Sequence, residues 1–299
     1  MTNNATDPLL LDFYSAPAAM TSTGDHASRF DALPSDAADL ARVVQGLAIH
    51  EFMAAAYGFA IPEERTRESH IRGVVQMLDC IVAADARPLP FARPPDKRLV
   101  GVCHHFALLL VAMLRARGVP ARARCGFGAY FNPGYCEDHW VCEYWKEREA
   151  RWVLVDPQFD ELWREKLKIE HDVLDVPRDR FLVAADAWTM CRAGLADPAT
   201  FGIFRGNLRG LWFIAGDLVR DVAALNNMEM LPWDVWGAMP RPDEHLTDDT
   251  LTFFDDLARL ASRPDVPCAE LRALYANDDR LRVPATVFNA LRQRPEAVP

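Results

Sequence analysis

The chain has 299 residues, half of them hydrophobic, enough apolar surface for a sizeable core in one large domain or two small ones. A formal net charge of -10 supplies no clustered cationic footprint, so neither nucleic acid nor an anionic membrane surface is expected as a partner. Seven cysteines at irregular spacing, in a chain far larger than disulfide-dependent secreted scaffolds, fit free thiols in a reducing cytoplasm.

The first basic residue is Arg29, so no positively charged leader is expected, and the longest apolar run, residues 106–114, is too short to span a bilayer. These readings predict a cytoplasmic protein. Residues 1–35 are rich in Ala, Ser, Thr, Asp and Pro with weak periodicity and read as a loosely ordered arm. Residues 36–95 read as helical: Leu40, Val43, Val44, Leu47 and Phe52 form one apolar stripe, and Ile71, Val74, Val75, Leu78 and Ile81 another. Four prolines in residues 87–95 then predict an extended connector, because proline lacks a donor and blocks helix.

Residues 96–165 carry the chemistry. Gly101, Val102 and Cys103 precede a segment, 106–114, that is apolar on every face and therefore predicts a helix in the middle of the core. Arg115 and Arg117 suit its last turn, Gly118 a left-handed cap, and Pro120 forbids continuation. Cys103 thus falls at the helix N-terminus, where free N–H groups and the positive dipole end favour the thiolate that attacks an acyl carbon. Taken alone it equally suits a small buried hydrophobe.

Downstream, Ala121, Ala123, Cys125 and Phe127 alternate with Arg122 and Arg124, the period of a half-buried strand, and Gly128, Asn132, Pro133 and Gly134 read as a loop. Residues 138–145 and 151–156 predict two further strands joined by a solvated four-residue turn at 146–149. In that register Trp145 faces Ala150 and His139 faces Asp156, close enough for the carboxylate to hold an imidazole N–H. A one-residue slip would put the two on opposite faces. Residues 166–299 return to helical texture, forming one compact unit with the core. Within them 211–237 mixes Trp212, Phe213, Trp233 and Trp236 with Asp217, Arg220 and Asp221, which predicts an amphipathic helix or, more sharply, an aromatic wall over a cleft. The fold class is α+β: a small antiparallel sheet packed on a central helix, with helical N- and C-terminal extensions.

A thiol, an imidazole and a carboxylate are the three groups of one mechanism: the carboxylate fixes the tautomer of a histidine that deprotonates the thiol and later protonates a leaving amine. The Gly-Val-Cys at 101–103, Gly-Val-Pro-Ala-Arg at 118–122, His-Trp-Val-Cys-Glu at 139–143 and Trp-Val-Leu-Val-Asp-Pro at 152–157 resemble the core of the transglutaminase-like superfamily. The resemblance implies a papain-like fold in which Cys103 is nucleophile, His139 base and Asp156 the residue that orients the histidine. The chain departs from the family's pattern in having His139 and Trp140 adjacent, where the family often places Ala between them, and Gln158 after Asp156-Pro157 where Thr is frequent. Tyr130 and Trp140 are the candidate substrate-binding residues. Gln45 and Gln76 are candidates for the second oxyanion donor beside the N–H of Cys103.

The implied function is thiol-dependent acyl transfer on an amide or ester, by a peptidase, amidase or amide-forming acyltransferase. Its donor would be a small molecule, peptide or protein, with an amine as the acceptor where the second step is transfer. No cofactor and no metal are expected. Two rival readings are a non-catalytic interaction module on the same fold and a zinc site at Cys136, His139 and Cys142, with His104 and His105 near Cys103. Strand geometry weighs against zinc, because residues 139 and 142 project to opposite faces. Of the two adjacent histidines, one is expected to pack behind the nucleophile and the other to cap the helix or face solvent. Asp248-Asp249 and Asp278-Asp279 lack the spacing of a calcium loop.

Overall fold

A computed structural model describes residues 8–242, 244–262 and 269–299. The chain divides into two interleaved compact units, one of residues 11–123 and 141–176, the other of residues 8–10, 124–140 and 177–298. None of the described helices is long and apolar enough to cross a membrane.

The first unit is built on helices α1 (Pro8–Ser15), α2 (Ala37–Leu47) and α3 (Val74–Ala84), with the short strands β1 (Ala48–His50) and β2 (Leu99–Gly101) paired in parallel so that His50 aligns with Gly101. Asp36 caps α2 by accepting the N–H of Ala38 at 2.8 Å. Helix α4 (Cys103–Ala116) is buried from Cys103 to Arg115, as a segment apolar on every face requires. It stops at Gly118, whose φ of 72° is left-handed. Arg115 turns inward and donates to the Ala121 carbonyl and to Thr21 Oγ1, both at 2.9 Å.

Strands β3 (Ala121–Asn132) and β4 (Tyr135–Lys146) run through both units. In the first, β4 pairs antiparallel with β5 (Arg151–Val155), which leads to α5 (Glu161–Leu167). Trp145 faces Trp152 and Lys146 faces Arg151, so the loop is 147–150 rather than 146–149. Ala150 closes it with φ at 47°, a left-handed conformation for which its side chain gives no cue. The shift moves each partner by two residues: the ladder ends at Cys142 and Val155, and Asp156 lies just past it rather than opposite His139.

The structure departs from the sequence-based expectation in three further places. Residues 8–35 are no loose arm, since they form α1 and a 3-10 turn at Gly24–Phe30 and bury Tyr14 and Met20 completely. The proline-rich stretch is a loop wound about buried Arg93, whose guanidinium donates to the carbonyls of Asp85, Arg87, Pro88, Leu89 and Phe91. Strand β3 is buried on both faces, because Arg122 donates to Glu143 at 2.7 Å and lies 4.1 Å from the Trp152 ring, while Arg124 makes a two-pronged pair with Asp221. Phe52, beyond the end of α2, is exposed.

In the second unit β6 (Phe181–Val183), β7 (Phe201–Ile203) and β8 (Leu208–Arg209) complete a sheet of order β6-β3-β4-β7-β8. Its β4–β7 pairing is parallel, so the sheet is mixed rather than antiparallel. Gly202, at φ 146°, allows the close β7–β8 approach, since a Cβ there would sit 2.0 Å from the Leu208 carbonyl oxygen. The helices are α6 (Ala184–Arg192), α7 (Leu211–Leu225), α8 (Asp248–Ala261) and α9 (Ala269–Asn277). The C-terminal part is not all helical, because β9 (Asp234–Val235), β10 (Thr286–Asn289) and β11 (Arg294–Ala297) form a separate, antiparallel sheet. Helix α7 is buried from Phe213 to Leu225, Asp217, Arg220 and Asp221 included, so it is a core helix rather than an amphipathic helix with a polar face.

Candidate active site

Cys103 is the first residue of α4 and is 6 % exposed. Strand β2 delivers it there: Gly101 ends the strand, Val102 is extended, and the helix begins at the thiol. His105 closes this N-terminus, its Nδ1 accepting the Val102 N–H at 3.2 Å in the manner of the third residue of a capping box. Its ring lies against Gly101, where a Cβ would come within 2.8 Å of His105 Cγ; glycine is therefore required by the cap. His104 and His105 are both fully buried, so one reading offered for the pair, exposure to solvent, is set aside. Burial, with His104 beside it, holds the His105 imidazole well below the usual histidine range.

Asp156 belongs to the same unit and is wholly buried. Its N–H donates to the Val173 carbonyl at 2.8 Å and its Oδ1 accepts the N–H of Gln158 at 3.2 Å, which ties down the turn after β5. Beside α4 lies a cavity of ≈ 10 Å³, room for about one water. It is lined by Gln45, His50, Met53, Tyr57, Gln158 and by Phe106, one turn on from Cys103. Buried Gln158 keeps Oε1 without a hydrogen-bond partner here. Gln45 Nε2 donates to the Phe159 carbonyl at 3.2 Å, and Gln76 is exposed on α3.

His139 sits in the second unit, on β4, and is 2 % exposed. Its ring is surrounded by aromatic edges and faces, with Phe131 at 4.9 Å, Tyr130 at 6.0 Å and Phe181 at 6.3 Å between centroids. Tyr130 stacks on Phe131 and is half-buried. Trp140 is completely buried and offers no surface to a substrate: the residue next to His139 in the strand points to the opposite face. Phe131 and Phe181 were not singled out by pattern; the alternation of Phe127 through Phe131 carried the only signal, and Phe181 arrives from a distant strand. Unbroken β4 also turns His139 away from the face shared by Cys136 and Cys142, so these three do not make a zinc set.

Residues 71–157, from just before α3 to the turn after β5, match the family model of the transglutaminase-like superfamily. This segment resembles the core of that superfamily. Cys103, His139 and Asp156 all fall within it. No curated protein matches the chain. A solved structure, that of a proposed cysteine protease from Cytophaga hutchinsonii, is 16 % identical with a TM-score of 0.33 over 61 % of this chain and 52 % of its own. The chain therefore spans about half the length of that protein.

Proposed function

We propose that the chain is a thiol-dependent acyl-transfer enzyme. Cys103 attacks the carbonyl of an amide or ester, His139 takes the thiol proton and returns it to the leaving group, and Asp156 holds the histidine tautomer. Water or an amine then attacks the thioacyl carbon and releases Cys103. The observation that carries this reading is the position of Cys103 as first residue of the buried helix of a transglutaminase-like core, where the N–H groups and dipole favour thiolate and the Cys103 N–H is an oxyanion donor. Partially exposed Tyr130 is the residue of the His139 collar that a substrate can reach. The free state of all six described cysteines agrees with a cytoplasmic setting.

The test is intact-mass measurement after incubation with small thioester, ester and amide donors, for wild type beside Cys103→Ala. An acyl adduct confined to wild type, discharged faster by an added primary amine or by water alone, supports the reading and separates transferase from hydrolase. Turnover by Cys103→Ala at the wild-type rate would overturn it.

A further inference from the structure

The second unit contains a group of donors outside the proposed catalytic chemistry. Cys125 on β3, Asp138 on β4 and Asp217 on α7 each bring one ligand atom, a thiol sulfur or a carboxylate oxygen, to within 4.8 Å of the others. They come from three elements, and the farthest apart are joined only by folding. Asp217 is completely buried, with the Cys125 thiol as a hydrogen-bond neighbour of its carboxylate; its Oδ2 is left without a partner, and Asp138 Oδ1 is buried and unpartnered as well. The surrounding cations do not account for these oxygens. Arg124 is committed to Asp221 through Nε and Nη2, at 2.9 and 2.8 Å; Arg220 donates to Asp217 Oδ1 at 2.8 Å and to the Asp234 carbonyl at 3.1 Å. An orphaned carboxylate oxygen inside a protein is costly, and its natural complement is a cation.

We infer that Cys125, Asp138 and Asp217 form a binding site for a zinc-like divalent cation. A thiolate beside two carboxylates selects zinc over magnesium or calcium, which take oxygen ligands only. Three protein ligands leave the fourth tetrahedral position for water. Metal–ligand bonds of about 2.0–2.3 Å place tetrahedral ligands roughly 3.3–3.7 Å apart, so the three donors would close in by about an ångström. Asp138 projects from the face of β4 opposite to His139, which separates this site from the proposed base.

The test uses the full-length chain carrying Cys103→Ala, so that the proposed nucleophile contributes no ligand. Calorimetric titration with Zn²⁺ should give one ion per chain, and Co²⁺ should produce a sulfur-to-metal charge-transfer band together with the visible bands of tetrahedral cobalt. Adding Cys125→Ser should remove the charge-transfer band, and Asp217→Asn should weaken Zn²⁺ binding at least about tenfold. Should Asp217→Asn fail to fold, Asp138→Asn, at the partly exposed position, is required to show the same loss. Absence of stoichiometric Zn²⁺ binding, or binding left unchanged by Cys125→Ser and Asp138→Asn, would overturn the assignment. Since activity is not a readout, the outcome is independent of the proposed acyl transfer.

Discussion

Cys103 and the other cysteines occupy environments that should separate them by reactivity. Burial pushes the thiols of Cys125 and Cys142 well up, and half-buried Cys80 is also raised, by desolvation and then by nearby Glu68 and Asp79. Iodoacetamide labelling followed by peptide mass measurement at pH 7 should therefore find Cys103 alkylated first. Labelling of Cys80 at an equal rate would remove the basis for its role as nucleophile. His105 makes a prediction about stability. The unfolded chain protonates this imidazole below about pH 6.5, whereas the folded chain resists because the ring is buried. Its contribution is thus fully present above pH 6.5 and declines as pH falls from there toward the depressed folded value, with a slope of up to about 1.4 kcal/mol per pH unit. Urea unfolding at pH 7 and pH 5.5 should show the loss, and His105→Gln, which retains an acceptor for the Val102 N–H, should show less of it.

Among the elements, β3 illustrates how a polar pattern misleads. Alternating arginines predict a strand with one wet face, yet Arg122 is buried against Glu143 and between the rings of Tyr14 and Trp152. Removing one partner should be far worse than removing both. Glu143→Gln is expected to cost about 3–5 kcal/mol, and Arg122→Met with Glu143→Leu much less, because a lone buried charge is worse than an apolar pair. Denaturant midpoints for the two variants check this; equal losses would mean that the pair is not desolvated. The β4–β5 hairpin shows a different limit. Both strands and the length of the loop were legible, but the register turned on Ala150 adopting a left-handed conformation, and that choice is made by the strands that flank it.

At the scale of the molecule, neither unit is a continuous stretch of chain. The second takes residues 124–140 from β3 and β4 as the partners of β6 and β7, so residues 166–299 do not stand as a helical appendage. A fragment of residues 177–298 should therefore fail to fold, and its amide proton spectrum should lack dispersion; a well-dispersed spectrum would show that the two strands are dispensable. Helix α4 with its all-round apolar character, its Gly118 stop, and Cys103 at its head are local features, which follow from periodicity and capping within about twenty residues. The buried state of His139, the companionship of Arg124 with Asp221 across 97 positions and the meeting of Cys125, Asp138 and Asp217 were decided only by tertiary structure. A side chain's type limits the chemistry it can do. Whether that group faces water, an opposite charge or another donor depends on elements that only folding brings together.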